Sequence, residues 1–231
     1  MAKYRFILLD ADNTLLDFDA NERTSLQKAL KHFGLPSDDN VISLYHEINI
    51  MYWDMLAKNL IERDVLLTKR FDTLFERIGV KADSRAVENY YRSTLDSGFQ
   101  LVPGAIEVCR TLKENYKLYI ITNGVVSTQR ARLSGSGLAP LMDGIFISDD
   151  IGCNKPARQF FQYVQNHIDG FEIEKTLVVG DGLESDIRGG SDYGLDTCWV
   201  DIYGKKDSRG LNPTYTIDSI KELPRLLANK S

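Results

Sequence analysis

Short apolar runs that stop at a polar residue or at glycine recur along this chain: 6–9 before Asp10, 118–121 before Thr122, 145–147 before Ser148, 177–179 before Gly180 and Asp181, and 197–200 before Asp201. Runs without polar alternation suit strands buried on both faces, as in a parallel sheet covered by helices on either side. Between them the spacing turns helical. Ile106, Cys109 and Leu112 follow Pro103 and Gly104, and Phe160, Phe161 and Val164 follow Pro156. Strand and helix in alternation predict an open α/β sheet.

Between residues 17 and 99 the short runs vanish and the apolar period is helical throughout. Leu26, Ala29, Leu30 and Phe33 make one face; Val41, Leu44, Tyr45, Ile48, Tyr52 and Met55 make a longer one. Phe71, Leu74, Phe75 and Ile78 form a third, and Val87, Tyr90, Tyr91 and Leu95 a fourth. The pattern predicts an all-helical insert, entered after the first strand and left before Pro103. Residues 1–16 and 100–231 are therefore expected to form one discontinuous α/β core around a helical segment at 17–99. No internal repeat or low-complexity segment interrupts this picture.

Composition narrows the function classes. Of 231 residues, 43% are hydrophobic and 26% charged, enough for an ordinary core and against intrinsic disorder. The balance of 28 basic against 33 acidic side chains gives −5, which argues against a nucleic-acid polymer as partner but leaves room for local capture of one anionic group. Cys109, Cys153 and Cys198 lie far apart and form no Cys-x-x-Cys pair, so a reducing, cytoplasmic setting is expected and the three read as small buried hydrophobes. The apolar run near the start is too short for a signal-peptide core, and no stretch approaches the roughly eighteen apolar residues of a membrane span. Nothing in the sequence speaks to oligomeric state.

In an open parallel sheet the chemistry belongs at the carboxyl ends of the strands, where loops converge. Those ends carry Asp10-Ala11-Asp12-Asn13-Thr14, then Thr122-Asn123-Gly124, then Lys155-Pro156 after the third run, then Gly180-Asp181 with Asp186 close behind. Four carboxylates gathered on one rim repel each other unless a cation lies among them, and a hard divalent ion with oxygen ligands, Mg²⁺ foremost, resolves that conflict. Thr122, nearby backbone N–H groups and Lys155 are donors of the kind that grip phosphoryl oxygens. Metal, donors and a further carboxylate describe a phosphoryl-transfer site.

Taken together and in order, these motifs resemble those of the haloacid dehalogenase-like (HAD) hydrolases: Asp-x-Asp-x-Thr at 10–14, Thr-Asn at 122–123, Lys-Pro at 155–156 and Gly-Asp-x-x-x-x-Asp at 180–186. The resemblance spans nearly the whole chain and implies a doubly wound, Rossmann-like parallel sheet whose helical insert is the family's C1 cap. Within the family, Thr122-Asn123-Gly124, Arg132-Leu133 and Gly137-Leu138 are similar to the pyrimidine nucleoside 5′-monophosphatases. By that resemblance Asp10 is the nucleophile that forms an aspartyl-phosphate and Asp12 is the acid/base. Asp10, the backbone carbonyl of Asp12 and Asp181 hold Mg²⁺, with Asp186 acting through a metal-bound water or Lys155. Thr122, Asn123 and Lys155 hold the phosphoryl group. Val125, where the nucleotidase pattern often has an aromatic, and Ala157 after Lys155-Pro156 depart from it and bear on the substrate.

The expected activity is thus Mg²⁺-dependent hydrolysis of a small phosphomonoester, a nucleoside 5′-monophosphate favoured. A sugar phosphatase or a phosphomutase keeps the same motifs. A dehalogenase has no use for Asp12 or the pair Asp181 and Asp186, and a phospho-accepting signalling receiver is about half as long and lacks the insert. Selectivity is expected in the insert and its hinge, with Phe18, His46, Asn49 and Trp53 offering stacking and hydrogen bonds for a base and sugar. Tyr45, Tyr52 and Trp53 lie on or beside one helical stripe and fit cap core better than a substrate platform. Asp149 and Asp150 read as turn residues beside the rim, and the three histidines share no zinc-ligand spacing.

Overall fold

The computed structural model describes residues 3–58, 60–204 and 207–228. Two compact units emerge, Met1–Phe18 with Phe99–Ser231, and Asp19–Gly98. The first is built on a six-stranded sheet in the order β3-β2-β1-β4-β5-β6, every neighbouring pair parallel. Its strands are β1 (Phe6–Leu9), β2 (Lys117–Thr122), β3 (Gly144–Ile147), β4 (Thr176–Gly180), β5 (Asp196–Val200) and β6 (Tyr215–Ile217). The sheet is doubly wound and Rossmann-like.

Side chains alternate across a strand, so each buried run feeds two cores. Ile7, Leu9, Leu118, Ile120, Leu177 and Val179 pack on one face with Ala105, Val108, Cys109 and Leu112 of α5 (Ala105–Lys113) and with Leu223 and Leu227 of the terminal helix (Leu223–Ala228). Phe6, Leu8, Ile121 and Val178 pack on the other with Phe160, Phe161 and Val164 of the helix Arg158–Asn166. Covering both faces is what removed polar alternation from the strands. The sixth strand escaped the sequence reading: it is three residues long, lies at the sheet edge, and only Ile217 of it is buried. Where the chain leaves and re-enters this unit its two arms run side by side, with Leu16 bridging Leu101 and the amide of Asp17 donating to Gln100 at 2.9 Å.

The second unit is all helical: α1 (Phe18–His32), α2 (Asp39–Ala57), α3 (Arg63–Ile78) and α4 (Ser84–Leu95). Asp38 caps α2 and Asp83 caps α4 through their side chains, each satisfying first-turn amides that have no partner within the helix. Gly79 closes α3 at φ 70°, a left-handed conformation that glycine adopts without penalty. The four apolar faces supply the core, with Leu26, Ala29, Leu30, Tyr45, Phe71, Leu74, Val87 and Tyr91 all buried. Phe33 departs from the expected face: α1 ends at His32, and Phe33 is 38% exposed. No helix among the described residues is long and apolar enough to cross a membrane.

Candidate active site

Strands β2, β1 and β4 are adjacent at the centre of the sheet, and their register pairs Leu9 with both Ile120 and Val179. In that register Asp10 is level with Ile121 and Gly180, so Thr122 and Asp181 follow one residue beyond it at the same end of the sheet. The amide of Asp10 continues the ladder, donating to Val179 at 2.9 Å, after which the chain coils into a turn with Leu15 and Leu16 donating back to Ala11. Asn13 occupies φ 58°, where Asn is among the few side chains tolerated, and its side-chain oxygen accepts the amide of Phe18 at 3.1 Å. Thr14 is fully buried and its hydroxyl accepts the amide of Asp181 at 3.1 Å, tying the first loop to the fourth strand.

At the centre stands Lys155, 1% exposed. Its ammonium donates to Asp10 Oδ1 at 2.6 Å, Asp186 Oδ1 at 2.6 Å and the Ile121 carbonyl at 2.8 Å, which accounts for all three of its protons. Asn123 sets its backbone from the neighbouring loop, donating to the Lys155 carbonyl at 2.8 Å and accepting its amide at 2.9 Å. Asp186 lies on a π-helical turn (Leu183–Arg188), and its other oxygen accepts the Gly182 amide at 3.1 Å. Gly180 is required by close approach: a Cβ there would overlap the Asp186 carboxylate.

Oxygens of Asp10, Asp181 and Asp186 lie within 4.8 Å of one another. Three carboxylates face one ammonium, and the electrostatics register the imbalance. Burial pushes the Asp10 carboxyl up to about 7 despite Lys155, with Asp186 and Asp12 adding repulsion. Asp181 is raised well above the usual carboxylate range, first by burial and then by Asp10 and Asp186. Burial alone would lower Lys155, but the two carboxylates it touches hold it above its ordinary value. An all-oxygen, excess-anionic set of this kind fits a hard dication such as Mg²⁺.

Asp12 is not part of that cluster's hydrogen bonding. Its Oδ1 takes Nη1 of Arg132 in a short ion pair, and its Oδ2 takes Nε2 of Gln129 at 2.7 Å. The same Gln129 nitrogen reaches Thr122 Oγ1 at 2.7 Å, and that hydroxyl oxygen also accepts the Gly124 amide at 3.2 Å. Gln129 and Arg132 are both buried and stand one turn apart on α6 (Val126–Gly135). Sequence reasoning quoted Arg132 only as part of a resemblance and missed Gln129. The available signal was their i, i+3 spacing on the helix that starts just after Thr122-Asn123-Gly124.

A family model for the haloacid dehalogenase-like hydrolases matches residues 4–194, a span that holds every one of these rim residues. This chain belongs to the haloacid dehalogenase-like hydrolases. Among HAD relatives it is 38% identical to the HAD-hydrolase YfnB of Bacillus subtilis, the match covering 98% of this chain and 97% of that one. It is 35% identical to the pyrimidine 5′-nucleotidase PynA of Streptococcus pneumoniae, covering 95% and 93%, and 31% identical to the pyrimidine 5′-nucleotidase YjjG of Escherichia coli, covering 97% and 98%. The crystal structure of the Bacillus subtilis YfnB, bound to magnesium, superposes with a TM-score of 0.93 over 98% of this chain and 99% of that one.

The remaining candidate residues of this HAD hydrolase fall in two places. Phe18 belongs to the core unit, half-buried, with the Arg132 guanidinium 5.4 Å from its ring centre. His46, Asn49 and Trp53 lie on α2 of the cap unit. Asn49 is buried there, donating to Glu22 at 2.5 Å and accepting from Arg70 at 2.7 Å, while His46 meets the other Glu22 oxygen at 2.6 Å. Arg70 completes a buried network through Glu88 at 2.8 Å. Trp53 is half-buried with the Arg63 guanidinium 5.9 Å from its ring, whereas Tyr45 and Tyr52 are cap core. Asp149 and Asp150, expected in a turn, lie instead in a one-turn helix (Ser148–Ile151) and bind α6, accepting the Val126 amide and pairing with Arg130. Cys109 and Cys198 are buried as expected, but Cys153 is only partly so, because it lies in the loop before Lys155 and not on a core element.

Proposed function

We propose that this hydrolase is a Mg²⁺-dependent phosphomonoesterase working through an aspartyl-phosphate on Asp10, with nucleoside 5′-monophosphates as its preferred substrates. One observation carries the reading: the two carboxylates of a single Asp-x-Asp motif lie in different environments. Asp10 is gripped by a buried ammonium beside an acidic cluster, and Asp12 is turned to a separate pair of donors. Carboxylates set apart in this way take different roles, here nucleophile and acid/base.

In the first half-reaction an Asp10 oxygen bonds to phosphorus, the bond to the leaving oxygen breaks, and that oxygen takes a proton from Asp12. In the second, a water oxygen bonds to phosphorus, its proton goes to Asp12, and the acyl-phosphate bond breaks with its electron pair returning to Asp10. Lys155 fixes Asp10 for in-line attack and meets phosphoryl charge. Thr122 accepts two N–H donors at its oxygen, so its own proton points elsewhere and serves, with the Asn123 amide, to hold the phosphoryl group. Asp10, Asp181 and Asp186, with the Asp12 carbonyl, are the groups that would hold Mg²⁺, which when bound neutralises their excess charge and polarises phosphoryl oxygens. The magnesium bound in the 38% identical relative supports that assignment.

The same acidic set favours phosphoryl transfer over dehalogenation, which has no use for it. The two pyrimidine 5′-nucleotidases at 35% and 31% identity over almost the full chain support a nucleotide substrate. The segment 17–99, which carries no motif residue, is the part available for leaving-group selection, through Phe18 at its hinge and His46 and Trp53 on α2, while Asn49 is committed to Glu22 and Arg70. The experiment is a phosphate-release screen of nucleoside monophosphates, sugar phosphates and an aryl phosphate with Mg²⁺, on the wild type and Asp10→Asn. Turnover fastest on nucleoside 5′-monophosphates and abolished in a folded Asp10→Asn protein is expected. Release from no phosphomonoester, or an active Asp10→Asn, overturns the reading.

A further inference from the structure

We infer that Gln129 and Arg132 are positioning residues for Asp12, holding its carboxylate as the base of the second half-reaction. The inference rests on the acid/base role of Asp12 proposed above. Both Asp12 oxygens meet N–H donors, Oδ1 from the Arg132 guanidinium and Oδ2 from the Gln129 amide. Two N–H donors, one on each oxygen, fix the plane and direction of the carboxylate. Arg132 Nη1 also donates to Gln129 Oε1 at 3.2 Å. That bond sets the amide so that its nitrogen faces acceptors.

From that nitrogen Gln129 reaches Asp12 and Thr122 together, both at 2.7 Å. One planar group thus fixes the spacing between the proposed base and the hydroxyl proposed to hold phosphate. The site makes room for it: a Cβ on Gly124 would come within 2.5 Å of the Gln129 side chain, so the loop carries no side chain there. Gln129 and Arg132 are each 1% exposed, and a polar pair that is buried needs partners, which these find on the motif residues.

The step served is the one in which the water oxygen bonds to phosphorus, the phosphorus–Asp10 oxygen bond breaks toward Asp10, and the water proton moves to Asp12. Misplacing the base slows that step and spares the first whenever the leaving group departs without a proton. An aryl phosphate meets that condition.

The test compares wild type, Gln129→Met, Arg132→Met and the conservative Arg132→Lys on an aryl phosphate with Mg²⁺. It reads kcat, KM, the phosphoenzyme trapped by acid quench and measured as intact-protein mass, and the melting temperature. For both methionine variants kcat is expected to fall about 10–100-fold, with KM falling in step, phosphoenzyme accumulating, and partial recovery in Arg132→Lys. Unchanged kcat, a KM that rises while kcat holds, or a kcat loss without phosphoenzyme accumulation overturns the inference, the second outcome placing Arg132 on the substrate instead. If Arg132→Met does not fold, Arg132→Lys and Gln129→Met carry the same readouts. A wild type inert on every phosphomonoester sinks the parent reading, whereas an active, phosphoenzyme-forming wild type with unaltered variants sinks this inference alone.

Discussion

Replacing Lys155 by Met keeps the length of the side chain and removes its charge, and the structure sets what that costs. The ammonium is 1% exposed and makes three hydrogen bonds, at 2.6, 2.6 and 2.8 Å, to Asp10, Asp186 and the Ile121 carbonyl. Its loss leaves two buried carboxylates and a carbonyl without that donor, and breaking a buried ion pair from one side typically costs about 3–5 kcal/mol. For a chain of this size each kcal/mol moves the melting temperature by about 2–4 °C, so a fall of roughly 6–20 °C is expected in chelator. The variant's acidic cluster carries one more uncompensated negative charge, so a dication binds it more strongly, and saturating Mg²⁺ should raise its melting temperature by more than it raises that of the wild type. Scanning fluorimetry with chelator and with Mg²⁺ on both proteins measures the two effects. A Lys155→Met protein melting within about 2 °C of wild type in chelator would refute the reasoning, since it would mean that Asp10 and Asp186 find other compensation.

Thorough chelation should abolish phosphate release, with Mg²⁺ restoring it and Ca²⁺ doing so poorly because its looser coordination misplaces an in-line nucleophile; undiminished turnover after chelation would contradict the cation site at Asp10, Asp181 and Asp186. Without metal, burial raises Asp10 to about 7, so the folded state favours its protonated form: this contribution is full below the ordinary carboxylate value and is lost as pH rises through about 7. Asp10→Asn should therefore flatten the chelated protein's loss of stability across that window, as read by urea melts at several pH values, and parallel profiles would count against it. His46 is raised by its hydrogen bond to Glu22, against the lowering effect of burial, so the pair's stabilisation is present below the ordinary histidine value and fades as pH climbs past the raised one. The destabilisation caused by His46→Gln should accordingly be larger at about pH 5.5 than at about pH 9, and equal values would show the pair to be energetically silent. Gly124→Ala should cut kcat by displacing Gln129 while leaving the melting temperature within a few degrees, and steady-state kinetics with full activity would show that the glutamine has room to move.

How much of this was legible before the structure depends on what kind of signal each feature leaves. Strands β1 and β4 announced themselves because both their faces are buried, which forces the runs 6–9 and 177–179 to be apolar at every position, whereas edge strand β3 left an apolar run at 145–147 although only Ile147 of it is buried. Edge strand β6 buries one residue of three and leaves no such run. The four cap helices were legible from period alone, but the end of α1 was not, because Phe33 continues the apolar spacing one residue past the helix and is satisfied by packing on the rings of His32 and Tyr90.

The rim was legible for a different reason: strand-end carboxylates have no structural use in that number, so their joint appearance at 10, 12, 181 and 186 points to chemistry. Residues that act through others leave a fainter mark. Gln129 and Arg132 sit on a helix whose sequence, Val-Ser-Thr-Gln-Arg-Ala-Arg-Leu-Ser-Gly, reads as a solvated face, and only tertiary contact shows that one turn of it is buried against Asp12 and Thr122. Asn49 illustrates the converse. On α2 its amide looked like a group offered to a ligand, yet Glu22 and Arg70 engage both of its ends within the cap. A polar residue on an amphipathic helix is thus ambiguous in sequence between a ligand contact, a buried network and a positioning role, because all three need the same hydrogen-bonding atoms. What separates them is which partners lie within reach, and for Gln129 those partners are the motif residues themselves.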